Sequence, residues 1–177
     1  AEKVEQIRRG VALKLVKQCL DSARVFARFE AYRQALAILD HPNISRVFDA
    51  GVTDDNRPYL VMELVPGRSI TEYSDEQQMS VRERAKLKVT VCRAVQNAHQ
   101  KGIIHRDITP SNVLVVDADS GPLPKVIDFG IAKATEAHDP EQTDLTLNGT
   151  AIGTPLHMSP EQAKLADSDI DTTTDVY

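Results

Sequence analysis

The chain changes character at Pro66-Gly67. Before this pair, short β-branched segments alternate with polar turns around one helical segment, whereas the part that follows is mostly helical. Proline offers no amide hydrogen to a sheet, and glycine adopts backbone conformations that other residues avoid, so the pair is typical of a strand end. Strands on one side of such a break and helices on the other predict an α+β fold made of two lobes.

The first half predicts three strands and a helix. β-branched and apolar residues favour strands over 11–16, 44–52 and 58–65. Apolar residues that recur every three or four positions predict a helix over 25–39. This helix should end before Pro42, because the residue that precedes a proline is driven out of the α region.

The second half contains one long amphipathic helix. Ser80 and Glu83 have the spacing of a capping box at its start, and Gly102 is suited to end it. The apolar stripe that follows the cap consists of Leu87, Val91, Val95 and Ala98.

Two later segments predict loops. Apolar runs over 113–116 and 125–127 flank residues 117–124, which we expect to form a loop. The polar segment 134–153 is long for a structureless connection, which is typical of a functional loop. Its four threonines are either solvated or sites of regulatory phosphorylation: Thr135, Thr143, Thr146 and Thr150.

Composition argues against several classes of protein. The 177 residues are enough to bury a core, and the net charge of −5 argues against a nucleic-acid binder. The apolar runs are far shorter than a bilayer-spanning helix, and no signal-peptide pattern is present. Cys19 and Cys92 lack the spacing of a metal site and suggest no disulfide framework. We therefore expect a cytoplasmic protein with no membrane segment in this chain.

The residues that carry most chemical information are His105-Arg106-Asp107, Asn112 and Asp128-Phe129-Gly130. Phosphoryl transfer requires an oriented hydroxyl group and metal ions that bridge phosphate oxygens. A carboxylate near the hydroxyl, an amide five residues later and a second carboxylate on an adjacent turn can supply both functions. Asn112 and Asp128 also offer the oxygen ligands that Mg²⁺ prefers. Each string alone is a weak signal, but their order and spacing together favour phosphoryl transfer.

The sequence resembles the eukaryotic-type serine/threonine protein kinase family, particularly its bacterial members. The matching segments are 11–14, 105–107, 128–130, Gly153-Thr154-Pro155 and Ser159-Pro160-Glu161. The resemblance implies a two-lobed kinase-like fold, with residues 1–65 in a small β-rich lobe and 66–177 in a helical lobe. It also implies a truncated domain that lacks the glycine-rich loop and the later helices of the large lobe.

The resemblance implies catalytic and metal-binding roles for four residues. Lys14 would hold the α- and β-phosphates of ATP, and Asp107 would be the catalytic base. Asn112 and Asp128 would bind Mg²⁺. Taken alone, a strand lysine such as Lys14 is more typical of a solvated edge charge.

The resemblance also implies an adenine pocket. Met62 would be the gatekeeper at its back. The backbone of Glu63 and Val65 would form hydrogen bonds with the edge of the adenine, and Ala12 and Leu114 would enclose its ring.

A stack of buried side chains would connect the two lobes. In the family pattern, Leu36, His105 and Phe129 belong to this hydrophobic spine, and Asp175 is its anchor. Without the resemblance, His105 and Met62 are typical of ordinary core packing.

Two residues depart from the family pattern within the site. Tyr32 stands where the family has a helix glutamate that pairs with Lys14, and Thr109 replaces a lysine that neutralises the transferring phosphoryl group. Glu30 is no substitute, because two residues on a helix differ by about 200° around its axis. Tyr32, neutral at pH 7, either packs inward and leaves Lys14 to pair with Asp128, or points outward.

These features predict an ATP-dependent serine/threonine protein kinase. It would transfer the γ-phosphate of ATP to a serine or threonine of a protein substrate, with weak or no activity as a fragment alone. The alternative is a pseudokinase-like module that binds a nucleotide or a partner. A small-molecule phosphotransferase of kinase-like fold fits less well, because such enzymes lack the Ser159-Pro160-Glu161 signature.

Overall fold

The computed structural model describes residues 9–15, 23–129, 157–163 and 170–177. The helices and strands are, in chain order, β1 (Val11–Leu15), α1 (Ala23–Ala37), β2 (Val47–Val52), β3 (Pro58–Glu63), β4 (Arg68–Ser69), α2 (Ile70–Glu76), α3 (Val81–Gln100), β5 (Val113–Ala118), β6 (Gly121–Val126) and a short helix Pro160–Ala163. Single turns of 3₁₀-helix span Pro110–Asn112 and Thr172–Asp175. The sequence expectations that lie outside the described residues concern Cys19, Gly130, Thr135, Thr143, Thr146, Thr150 and Gly153-Thr154-Pro155.

The first half forms a three-stranded antiparallel sheet in the order β1-β3-β2. Ala12 lies opposite Met62 and Lys14 lies opposite Leu60. Directly opposed residues of an antiparallel pair share a face of the sheet, and Met62 and Leu60 are both buried. Lys14 is therefore on the core side of β1, and the alternative of a solvated strand charge is wrong.

The predicted long helix is confirmed as α3. Ser80 accepts a hydrogen bond from the Glu83 backbone, and the Glu83 side chain accepts one from the Ser80 backbone. The helix ends before Gly102, whose φ of +74° is the left-handed conformation that favours glycine. The predicted stripe is buried in full: Leu87, Val91, Val95 and Ala98. None of the helices in the described part of the chain is long and apolar enough to cross a membrane.

The loop predicted over 117–124 is wrong. β5 and β6 form an antiparallel hairpin whose turn is confined to residues 119–120. Val126 directs both its N–H and its carbonyl away from β5, towards the segment that precedes β2. Pro124 and Pro122 lie two and four residues before Val126, so their backbone groups also point away from β5. The N–H that proline lacks therefore removes no hydrogen bond between the two strands.

The helix α2 is absent from the sequence prediction, although a signal for it exists. Ser69 and Glu72 repeat the capping-box spacing and make both reciprocal hydrogen bonds. Directly before α2, the short strand β4 pairs with β5. The backbone approaches closely there, since a Cβ on Gly67 would lie 2.7 Å from the Val115 carbonyl oxygen.

The segment between α1 and β2 joins the two halves of the structure. The Val126 N–H donates to the Asn43 carbonyl at 2.8 Å, and the Ser45 N–H donates to the Val126 carbonyl at 2.9 Å. Asn43 Nδ2 also donates to the buried Pro124 carbonyl at 2.7 Å. Because Ile44 bridges to Val126, the strand predicted over 44–52 begins only at Val47. One core cluster accordingly combines side chains of α1, β3, α3, β5 and β6.

Replacement of Asn43 by alanine should lower the free energy of unfolding by about 1 to 3 kcal/mol, because the buried Pro124 carbonyl loses its donor. The matched control is Asn97→Ala. Within the described residues, Asn97 Oδ1 is buried with no hydrogen-bond partner, and alanine is the better helix former, so we expect no loss there. Urea unfolding curves measure both variants. Equal destabilisation of the two would contradict the role of Asn43.

Candidate active site

A chain of hydrogen bonds brings the predicted catalytic residues together. Asn112 Nδ2 donates at 2.9 Å to both the backbone carbonyl and the Oδ2 atom of Asp107. The Ile127 N–H donates to the Asn112 carbonyl at 2.9 Å, which fixes the end of β6 beside the loop that carries Asp107. Asp128 is the next residue, and its carboxylate contacts Lys14. Asp107, Asn112, Asp128 and Lys14 therefore form one connected site.

The turn before Asp107 is held by a buried carboxylate. Asp175 accepts hydrogen bonds from the backbone N–H groups of His105 and Arg106, each at 2.7 Å, and its side chain is fully buried. Arg106 has a φ of +66°, which is uncommon for a residue with a side chain. Gln162 Nε2 donates to its carbonyl at 2.6 Å. Contacts on both sides of Arg106 thus stabilise a strained backbone conformation.

His105 is buried as a neutral imidazole. Its Nε2 donates to the Ile127 carbonyl at 2.9 Å, while its Nδ1 accepts from the Asp107 N–H at 3.3 Å. These partners select the tautomer with the proton on Nε2. Burial lowers the pKa of His105, against the opposing effects of the Ile127 carbonyl and nearby carboxylates. The ring also packs on Phe129 with centroids 4.5 Å apart. The predicted spine residue Leu36 is buried in the same core as Phe129.

Lys14 pairs with Asp128 in this structure. Its Nζ atom lies 2.5 Å from Asp128 Oδ1, and the two side chains are 33% and 30% exposed. Asp128 has a φ of +68°, so the residue that receives Lys14 is in a conformation uncommon for an aspartate. The sequence expectation of this pair is confirmed.

Tyr32 packs inward against the main core, and the outward alternative is wrong. Its hydroxyl is buried and has no hydrogen-bond partner in the described part of the chain. Burial raises the pKa of Tyr32, Arg106 opposes this rise, and the charges of Asp128 and Asp175 add to it. Tyr32 is therefore a neutral residue close to the loop of residues 105–109, which carries Asp107 and is called the catalytic loop below. Glu30 faces another way and forms an ion pair with Arg33, as its helical position predicts.

The predicted adenine-pocket residues lie on the two sheets and, for Val65, in the segment between β3 and β4. Met62 and Val65 are buried, Ala12 packs against the core, and Leu114 is half-buried. Glu63 is tied down through its side chain, which contacts Lys125 Nζ at 2.6 Å. Burial would raise the pKa of Glu63, but Lys125 and the Arg46 N–H lower it overall.

An open cleft of about 600 Å³ adjoins the catalytic loop. Thr109, Ser111 and Leu114 line this cleft, together with Gly67 and His157 among others. Thr109 itself is buried, and its hydroxyl shares a 2.8 Å hydrogen bond with the Ser111 hydroxyl. A neutral side chain that is hydrogen-bonded to Ser111 therefore occupies the position of the lysine in the family pattern.

The donor set fits Mg²⁺. Asn112 directs its amide nitrogen at Asp107, so its Oδ1 is turned away from that residue as an oxygen donor, and Asp128 supplies a carboxylate. Within the described ranges no cluster of three or more His, Cys, Asp or Glu residues is arranged to hold a metal. Mg²⁺ in nucleotide sites often takes only one or two protein ligands and completes its shell with water and phosphate oxygens. The pair Asn112 and Asp128 meets that requirement.

Three polar residues that support the site are absent from the sequence analysis. Gln162 holds the Arg106 carbonyl, and His99 Nε2 lies 2.7 Å from Asp175 Oδ2. Asn43 connects to β6, the strand that ends two residues before Asp128. Gln162 and His99 contact partners 56 and 76 residues away, so no local pattern indicates their roles. The spacing Ser159 to Gln162 is that of a helix cap, but it does not predict the contact with Arg106.

Comparison with known proteins gives one consistent family. The protein kinase domain model matches residues 3–177. The chain is 37% identical over 170 residues to serine/threonine-protein kinase pkn3 of Myxococcus xanthus, covering 94% of this chain and 30% of that protein. It is 35% identical over 179 residues to serine/threonine-protein kinase PknB of Mycobacterium leprae, covering 97% of this chain and 27% of that protein. The chain thus spans less than a third of these relatives.

Solved structures agree with this assignment. A double mutant of the Mycobacterium tuberculosis PknI kinase domain matches with a TM-score of 0.67 at 26% identity, covering 93% of this chain and 57% of that structure. A second crystal structure of the PknI kinase domain matches with a TM-score of 0.65 at 26% identity, covering 94% and 57%. The predicted kinase-like fold is confirmed.

The hydrogen bonds of His105 predict a pH dependence of stability. Its pKa is lowered in the folded state, so the unfolded chain binds the proton first as the pH falls through about 6.5. The contribution of neutral His105 to the free energy of unfolding is complete above that pH. Below it, this contribution decreases by up to about 1.4 kcal/mol per pH unit. Denaturant unfolding at pH 7.5, 6.5 and 5.5 measures this slope. His105→Gln should flatten it, whereas the exposed control His157→Gln should retain it. An unchanged slope in His105→Gln would contradict the assignment.

Proposed function

Because this chain belongs to the protein kinase domain family, we propose that it carries the catalytic site of an ATP-dependent serine/threonine protein kinase. The observation that supports this proposal is the hydrogen-bonded connection of Asp107, Asn112 and the end of β6, which places two carboxylates and an amide in one site. The substrate would be a serine or threonine hydroxyl of a protein. Residues 1–65 and 66–177 would contribute to the small and large lobes of one kinase domain.

In this proposal Asp107 orients the attacking hydroxyl and accepts its proton. The hydroxyl oxygen forms a bond to the γ-phosphorus of ATP, the bond from that phosphorus to the β,γ-bridging oxygen breaks, and ADP leaves. Asn112 holds the Asp107 carboxylate at 2.9 Å, which limits the directions in which Asp107 can accept a proton. Positioning of this kind is the main contribution that a protein makes to phosphoryl transfer.

The nucleotide would be held by residues of both sheets. Ala12 and Leu114 would enclose the adenine, the backbone of Glu63 and Val65 would bind its edge, and Met62 would close the back of the pocket. Lys14 would approach the α- and β-phosphates.

Asn112 and Asp128 would hold Mg²⁺, which supplies Lewis-acid stabilisation of the phosphate charge when bound. A cytoplasmic location, consistent with the exposed free thiol of Cys92, also belongs to this proposal.

A second candidate is a nucleotide- or partner-binding module with little catalysis. Three observations favour it: Lys14 is paired with Asp128, Tyr32 is neutral and buried, and Thr109 carries no charge. A site of this kind retains the metal-binding residues but has fewer positive charges for the transferring phosphoryl group. The two candidates differ in turnover and agree on nucleotide binding.

Nucleotide binding tests what the two candidates share. ATP should raise the melting temperature of the chain only when Mg²⁺ is present, because Asn112 and Asp128 bind the nucleotide through that metal. Asp128→Ala should abolish the part of the shift that depends on Mg²⁺. The matched control is Asp119→Ala, an exposed aspartate in the β5–β6 turn, which should shift like the unmodified chain. An equal Mg²⁺-dependent shift in Asp128→Ala would place the site elsewhere.

Turnover separates the two candidates. With Tyr32 and Thr109 in place, we expect transfer from radiolabelled ATP to a generic basic protein far below the roughly 1 to 100 s⁻¹ of kinases. Each missing charge should cost a factor of about 10² to 10³ in rate. Tyr32→Glu and Thr109→Lys should each raise the rate, and the double variant should exceed the product of the single effects if the two act together.

The matched controls for these variants are Tyr32→Phe and Thr109→Ser, which change no charge and should leave the rate low. Turnover in the normal kinase range by the unmodified chain would reject the binding-module candidate and show that both departures are tolerated.

A further inference from the structure

The ion pair between Lys14 and Asp128 uses the carboxylate that the proposed function assigns to Mg²⁺. Lys14 Nζ and Asp128 Oδ1 are 2.5 Å apart, and both side chains are about two-thirds buried. An ammonium group in direct contact with a carboxylate oxygen excludes a metal ion from that oxygen, because two cations would otherwise lie within a few ångströms of each other. Lys14 therefore occupies one of the two carboxylate oxygens that Asp128 could offer to a divalent cation.

Helix α1 provides no anion at position 32, although this position lies close enough to Asp128 for the charge of that carboxylate to raise the pKa of Tyr32. Tyr32 is neutral, and its hydroxyl lies in the core with no hydrogen-bond partner among the described residues. Glu30, two positions earlier on α1, forms an ion pair with Arg33 instead and also accepts from Gln34. A carboxylate at position 32 would compete with Asp128 for Lys14, whereas Tyr32 presents an uncharged ring there.

We propose that Lys14 is an internal cation that competes with divalent metal for Asp128, and that Tyr32 is the positioning residue that keeps it there. This inference rests on the proposed assignment of Asp128 as a metal ligand. The residue at position 32 of α1 then decides whether Lys14 is shared between two carboxylates or remains on Asp128. In this way α1 controls how tightly the site binds a divalent metal.

The proposal predicts effects of opposite sign for one lysine. Removal of Lys14 should tighten metal binding, because Asp128 is released from its internal cation. The same change should weaken nucleotide binding at saturating metal, because the phosphates lose a positive charge. If Lys14 does not compete with metal, its removal leaves the affinity for metal alone unchanged.

Titration with Mn²⁺ alone, followed by the electron paramagnetic resonance signal of the free ion, measures the first effect without nucleotide. We expect Lys14→Met to tighten Mn²⁺ binding about threefold to tenfold. Tyr32→Glu should also tighten it, since Glu at this position accepts Lys14, and Lys14→Met should then add little. Tyr32→Phe should match the unmodified chain. Lys125→Met is the matched control, because Lys125 pairs with Glu63 at 2.6 Å and not with Asp128.

Unchanged Mn²⁺ affinity in both Lys14→Met and Tyr32→Glu, or no measurable binding by either, would overturn the proposal. Asp128→Asn should abolish the gain of Lys14→Met, and a gain that persists in the double variant would also overturn it. A second measurement needs no variant. Amine labelling of the unmodified chain should modify Lys14 faster as Mg²⁺ is added, with Lys125 as the internal reference, and equal rates at all Mg²⁺ concentrations would contradict the competition.

A titration of ADP at several Mg²⁺ concentrations separates this proposal from the proposed function. Failure of every variant to bind ADP, together with the expected Mn²⁺ result, would reject the nucleotide site and retain the competition. Normal ADP binding with no change in Mn²⁺ affinity would reject the competition and retain the nucleotide site.

Discussion

The fully buried carboxylate of Asp175 fixes the geometry of the catalytic loop. It accepts the backbone N–H groups of His105 and Arg106 and contacts His99, so three donors compensate for the removal of its charge from water. These contacts hold Arg106 at a positive φ, which turns the backbone at the next residue, Asp107. The Asp107 N–H then donates to His105, and the Asp107 carboxylate accepts from Asn112. The orientation of the proposed base thus depends on a residue 68 positions later in the chain.

A second constraint couples helix α1 to Asp128. The segment that follows α1 bonds on both sides of Val126, through the Asn43 carbonyl and the Ser45 N–H. Asp128 lies two residues beyond Val126, and Tyr32 lies on the helix that leads into the same segment. The distance between the helix and the Asp128 carboxylate, the proposed metal ligand, is therefore limited by backbone hydrogen bonds. A change of side chain at position 32 then alters charge at this site while the backbone contacts remain.

Local patterns predicted the elements that local interactions determine. The capping box and apolar stripe of α3 depend on residues three and four apart, and both are present as predicted. The β5–β6 hairpin was not predictable in this way, because two prolines are tolerated only on the side of β6 that faces away from β5. The departure at Tyr32 and its consequence for Lys14 could be predicted from the family pattern. The contact of Gln162 with Arg106 could not, since it depends on the tertiary fold. The roles of the site residues stay predictions.

The balance of charge is the physical reason for the low rate that we predict for this site. Asp107 and Asp128 carry two negative charges, and Lys14 neutralises one of them within the protein. In the family pattern a helix glutamate would share Lys14, and a lysine would stand at Thr109, so the transferring phosphoryl group would face two cations. Here the buried phenol of Tyr32 and the hydroxyl of Thr109 satisfy packing and hydrogen bonding without charge. Folding requires only that these positions be filled, but transition-state stabilisation requires positive charge directed at the phosphate. We therefore expect Tyr32 and Thr109 to affect the chemistry of the site far more than its structure.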